Sequence, residues 1–154
     1  ESDKGIISVV QGSIGKKGMV LNCESRRTHN IFTEDGIEHD YLHMDGQEVY
    51  KFAVRQCPKC LLEALEKADM TADDIDYFVL HQANVRIIES VAKRLKAPIE
   101  KFPMTLGYTG NMSAASVPVM LDSLVRDGGL KRGDKVAMSA FGAGLTYGAI
   151  VLEW

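Results

Sequence analysis

"DYFVLHQANVRIIESVAKRL", residues 76–95, sets a short apolar run directly against a helical repeat. Tyr77 to Leu80 reads as a buried strand, and from Val85 the apolar residues Val85, Ile88, Val91, Ala92 and Leu95 recur with helical spacing. Between them stand His81, Gln82, Ala83 and Asn84. A strand that passes at once into a helix is the building unit of α/β folds, whose ligands bind in the crevice outside the carboxyl ends of the strands. His81 is thus placed either for chemistry or for a turn, and the junction alone does not decide between them.

The flanking chain extends the same pattern. Residues 5–10, "GIISVV", read as a strand, with "QGSIGKKG" as a glycine-punctuated turn after it. Residues 22–45 are polar and read as a long loop. Residues 47–67 form a helical pattern with Val49, Phe52, Ala53, Leu61, Leu65 and Ala68 facing inward, and Pro58 is expected to kink or split it. Thr71 with Asp74 caps a short turn before a strand over residues 75–80. A helix over 113–126 follows, with Pro118 near its first turn and Gly128-Gly129 ending it. Strands over 135–140 and 146–152, joined by "FGAGL", close the chain. This order predicts one mixed, largely parallel sheet with helices packed on it.

Bulk properties narrow the class. A chain of 154 residues with 45% hydrophobic and 25% charged residues can build a full core. A formal net charge of -3 gives no reason to expect a nucleic-acid or membrane partner, and no apolar run approaches a membrane span. Glu1-Ser2-Asp3-Lys4 does not read as a secretory signal, and three cysteines fit a reducing cytoplasm better than a disulfide framework. A cytoplasmic α/β protein is expected.

Two further junctions resemble the one at His81. Gly110-Asn111 precedes the 113–126 helix, and Phe141-Gly142-Ala143-Gly144 links the last two strands. An imidazole, a carboxamide and free backbone amides are neutral donors, suited to holding an oxyanion or enolate in a dry pocket. Each also has a plainer reading: a turn histidine, an asparagine capping a helix, a hairpin of small residues.

Taken together, "MDGQEVYKFAV", "HQANVRI", "GNMSAASVP" and "AFGAGLTYG" resemble the C-terminal half of the β-ketoacyl-acyl carrier protein synthase III family, thiolase-like condensing enzymes that start fatty-acid synthesis. The likeness runs from about Tyr41 to the C-terminus. It implies the second half of a thiolase-like fold, with a five-stranded mixed sheet that normally packs on a similar N-terminal half. Under it residues 1–20 would end the first half, 21–46 would connect, and 47–154 would form the condensing-enzyme domain. The implied reaction is decarboxylative Claisen condensation of an acyl-CoA primer with malonyl-acyl carrier protein, without a cofactor.

The resemblance also implies roles. His81 and Asn111 would donate to the thioester carbonyl of the malonyl substrate. Phe141 would keep the site dry, and the Ala143 N–H would serve an oxyanion hole. Asn84, Met44 and Gly46 would contact the pantetheine arm. Arg86 and Lys93 would dock the acidic carrier protein, in keeping with five basic against two acidic residues over 86–101. The family forms homodimers.

The family's nucleophilic cysteine has no counterpart in context: Cys23 follows a turn, and Cys57 and Cys60 lie in a helix. The chain therefore reads as one part of a larger enzyme, with the thiol on a missing N-terminal half. Met112 stands where the family usually has threonine, and "YTGN" departs from its usual approach to Asn111. A coenzyme A or carrier-protein binding module without catalysis, or a polyketide- or alkylquinolone-type condensing enzyme, would carry the same motifs. "CPKC" with His39 and His43 is the one candidate metal set, and a single C-x-x-C is weak support for it; no metal is expected.

Overall fold

Strand β1, Ile6–Ser13, alternates as a half-covered strand should: Ser8 and Val10 are buried while Ile7 and Val9 are exposed. The computed structural model describes residues 5–23, 32 and 41–154. β1 runs three residues past its expected end, because Gln11, Gly12 and Ser13 stay paired with the last strand; the turn is displaced to a 3-10 segment, Gly15–Val20. Two-residue strands β2, Leu21–Asn22, and β3, His43–Met44, pair antiparallel as a small ribbon. Most of the expected 22–45 loop, His39 included, lies outside the described residues.

Helix α1, Gly46–Lys67, starts where Asp45 accepts from the N–H groups of Gln47 and Glu48 at 3.1 and 3.0 Å. Its inward residues Val49, Phe52, Ala53, Cys57, Cys60, Leu61, Ala64 and Leu65 follow three-and-four spacing. Pro58 does not split the helix in two: α1 is one helix of 22 residues. Proline removes one main-chain bond, but Ala53 before it and Leu61 and Ala64 after it are wholly buried, and that packed seam keeps the helix continuous through Pro58.

The predicted Thr71–Asp74 cap is present, with Thr71 N–H and hydroxyl both donating to Asp74 Oδ2 at 2.8 Å. Then come β4 (Tyr77–Leu80), α2 (Val85–Leu95), a short α3 (Leu106–Thr109), α4 (Ser116–Arg126), β5 (Lys135–Gly142) and β6 (Thr146–Glu153). In α2, Ile87 takes the inward place expected of Val85, which is exposed in the first turn.

The main sheet has the order β1-β6-β5-β4, so it has four strands among the described residues rather than five. Only β4 and β5 are parallel, which also corrects the largely parallel expectation. Residues 143–145 are too short a link for β5 and β6 to do other than reverse, whereas α2 to α4 supply the crossover that a parallel pair needs. β1, expected to end a preceding unit, is the edge strand of this same sheet, and its Ser8 hydroxyl donates to the α1 carbonyl of Ala64 at 2.7 Å.

Alternation sorts the sheet residues between two layers. Phe78, Leu80, Ala137, Ala149 and Val151 face α1 and α2 in the main core. Val79 and Val136 face Met120 and Leu124 of α4 on the other side. The carboxyl ends of β4 and β5 therefore emerge between two helical layers, and the site forms there.

Candidate active site

His81 lies one residue beyond β4, where its N–H continues the ladder by donating to Ser139 O at 2.9 Å. Its half-buried ring meets Phe141 edge to face, centroids 5.3 Å apart at 74°. Phe141 in turn packs on Phe52 of α1 at 6.4 Å, and Tyr147 on the same ring at 6.0 Å. This aromatic floor desolvates the imidazole and pushes its pKa below the ordinary 6.5. At neutral pH the ring is thus uncharged and offers one N–H donor.

Asn111 follows α3 and Gly110, whose φ of 66° is open to glycine at little cost. Its Oδ1 accepts from Ser113 N–H at 2.9 Å, and Met112 N–H donates to the buried Ser116 hydroxyl at 3.2 Å. The first of these bonds closes a local turn on the carboxamide oxygen; the plain capping reading of Asn111 is not met, because the helical segments that follow start from Met112 and Ala115 with no side-chain cap. Among the described residues the NH₂ end of the carboxamide has no hydrogen-bond partner, so the turn leaves it free to donate.

The third junction is the β5–β6 turn. Gly144 sits at φ 132°, and a Cβ there would lie 2.5 Å from Thr146 Cγ2. The Thr146 hydroxyl donates to Ala143 O at 3.0 Å and ties the turn to the start of β6.

These three junctions line one cleft of about 1180 Å³. His81, Asn84, Asn111, Phe141 and Ala143 border it, together with Met44 and Gly46. Asn84 also caps α2, its Oδ1 accepting from Arg86 N–H at 2.9 Å. Arg86 and Lys93 are not in the lining; both are exposed on α2. Sequence reasoning missed Gln11 to Ser13, which enter the lining because β1 is longer than its apolar run, and Tyr50 and Tyr147, whose aromatic types were the available signal.

None of the three cysteines borders the cleft. Cys57 and Cys60 are buried in α1, with Cys60 Sγ 3.4 Å from Ser139 Oγ. Burial pushes the Cys57 thiol up to about 12 and raises that of Cys60, the reverse of an activated nucleophile. Among the described residues no three His, Cys, Asp or Glu side chains gather as a metal set, and no helix is long and apolar enough to cross a membrane.

Residues 65–154, which carry all three junctions, match the family model of the 3-oxoacyl-[acyl-carrier-protein] synthase III C terminus. The chain belongs to the 3-oxoacyl-[acyl-carrier-protein] synthase III C-terminal family. The β-ketoacyl-[acyl-carrier-protein] synthase III of Synechococcus sp. (strain WH7803) is 44% identical over 99% of this chain and 46% of its own length. The crystal structure of the 3-oxoacyl-[acyl-carrier-protein] synthase III from Aquifex aeolicus VF5 superimposes with a TM-score of 0.88 at 34% identity, covering 100% of this chain and 46% of that one. The priming β-ketosynthase of the R1128 polyketide pathway gives 0.86 at 38% identity, over 97% of this chain and 45% of that one. The chain spans about half the length of the curated synthase III relatives it matches. The likeness to solved synthase III structures bears out the thiolase-like α/β fold class.

Proposed function

We propose that this chain supplies the decarboxylation donors of a β-ketoacyl-acyl carrier protein synthase III, an acyltransferase that condenses an acyl-CoA primer with malonyl-acyl carrier protein. The observation that carries this reading is the convergence of His81, Asn111, Phe141 and Ala143, from three separate junctions, on one cleft. In the proposed reaction the malonyl thioester oxygen accepts from the His81 N–H and the Asn111 NH₂. As carbon dioxide leaves, the electrons of the broken C–C bond flow into an enolate whose charge settles on that oxygen. Neutral donors held in place stabilise the developing charge without reorganising. The enolate carbon then attacks a cysteine-bound acyl thioester, whose oxyanion the Ala143 N–H helps to hold, and the thiolate leaves.

The acyl-bearing thiol comes from outside this chain's cleft, in the part of the relatives' length that the chain does not span. That part also covers the exposed apolar residues Ile7 and Val9 of β1, and the intact enzyme is a homodimer. Met44, Gly46 and Asn84 hold the pantetheine arm. Arg86 and Lys93, exposed on α2, dock the acidic carrier protein. No cofactor takes part; acyl-CoA and malonyl-acyl carrier protein are substrates.

The test is the decarboxylation rate of malonyl-acyl carrier protein in the intact protein. His81→Ala and Asn111→Ala are each expected to lower it roughly 10²–10³-fold with substrate binding retained. Wild-type rates in both variants would leave only a binding module. The likeness to the R1128 priming ketosynthase supports a second reading, in which the same chemistry primes a polyketide chain. Identifying the product formed with the native acceptor carrier protein separates the two.

A further inference from the structure

Gln82, next in the chain to His81, is wholly buried. A buried carboxamide is costly unless each polar end is satisfied. Here both ends are used, and by two different segments. Its Nε2 donates to Leu80 O at 3.0 Å, at the end of β4, and to Pro103 O at 3.4 Å. Its Oε1 accepts from Thr105 N–H at 3.1 Å.

The segment it grips leads straight to Asn111. Phe102, just before it, stacks on Phe78 of β4 with centroids 4.7 Å apart at 9°. Thr105 is itself wholly buried and starts α3: its carbonyl accepts from the N–H groups of Tyr108 and Thr109, each at 3.0 Å, and from the Thr109 hydroxyl at 3.0 Å. Gly110 N–H then closes on Leu106 O at 3.0 Å, and Asn111 follows. His81 and Asn111 thus stand on two segments that are joined through one buried carboxamide.

We propose that Gln82 is the positioning residue that sets the spacing between His81 and Asn111, by bridging the end of β4 to the 103–105 segment. This rests on the donor reading of His81 and Asn111 given above. Two donors serve one oxygen only if both lie within hydrogen-bond reach of it, and a displacement of about 1 Å costs on the order of 10²-fold in rate. Gln82 touches no substrate; it acts through the two residues that do.

The experiment is a double-mutant cycle in the intact protein. Gln82→Met keeps length and bulk but removes the bridge. It is expected to lower the decarboxylation rate constant about 100-fold while leaving the KM for malonyl-acyl carrier protein nearly unchanged. In an Asn111→Ala background the same substitution is expected to add little, because the geometry it protects is already lost. A purely structural role would show the opposite: an equal further loss in that background, which would overturn the proposal.

Gln82→Glu keeps the acceptor for Thr105 and, when protonated in its buried site, one donor. Its activity is expected to fall between wild type and Gln82→Met and to recover as pH is lowered. That variant carries the test if Gln82→Met fails to fold, and activity equal to wild type at every pH would overturn the proposal. Should the His81→Ala and Asn111→Ala variants retain full activity, the donor reading fails on its own. The bridge is then judged by the side-chain amide resonances of Asn111, which shift in Gln82→Glu if the bridge positions that residue and stay in place if it does not.

Discussion

At the scale of single residues, His81 shows how burial shifts a titration. Packing against Phe141 withdraws the imidazole from water and lowers its pKa from 6.5. Between the folded and the ordinary value the unfolded chain holds more protons than the folded one, so stability rises with pH across that window. It is complete above the ordinary value and is lost as pH falls toward the folded one. Urea unfolding between about pH 5 and 7.5 is therefore expected to show a smaller pH slope in His81→Asn than in wild type, bracketing the ordinary imidazole value. Equal slopes would place the titration elsewhere. His81 stood out in the sequence because an apolar run stops at it, and Asn111 because it follows a glycine just before a helix; the donor roles of both came from the resemblance of the motifs. Gln82 was legible as a name but not as a brace. Its partners lie on residues 103 and 105, and no local pattern announces a hydrogen bond to a segment more than twenty residues away.

At the scale of elements, the turn from β5 to β6 has the strictest local demand. Gly144 combines a φ of 132° with a Cβ position already filled by Thr146 Cγ2. Gly144→Ala is expected to cost about 1–3 kcal/mol from the backbone conformation alone, read as a lower midpoint in urea. The same substitution is expected to slow the reaction, since Ala143 is its neighbour; an unchanged midpoint would contradict the account of the turn. Helix and strand limits set by side-chain period came through well: α2 begins and ends at Val85–Leu95 as its spacing predicts. Those set by distant packing did not. Pro58 reads as a break, and only the buried seam on either side of it shows why α1 continues. β1 reads as ending at Val10, and only the length of β6 opposite shows why it reaches Ser13.

At the scale of the whole molecule, sheet order was the least legible feature, because strand count and direction depend on which edges meet rather than on any one strand. The four motifs pointed to the family, while only the folded chain shows four strands in the main sheet among the described residues, with β1 at one edge. β1 also leaves Ile7 and Val9 exposed, a face suited to further chain of the length the relatives possess. None of the cysteines here borders the cleft, so labelled acyl-CoA is expected to acylate the intact protein at a thiol other than Cys23, Cys57 or Cys60. Peptide mapping reads this directly, and acyl label on Cys23, Cys57 or Cys60 would contradict the proposed division of the site. In the proposed reaction His81 and Asn111 together hold one thioester carbonyl. The most direct measurement is the infrared stretch of a carbonyl-¹³C malonyl thioester analogue that cannot decarboxylate, bound to the intact protein. The account predicts a band moved to lower frequency, with part of that shift lost in His81→Ala and part in Asn111→Ala. The same shifted band in wild type and both variants would show that neither side chain touches that oxygen.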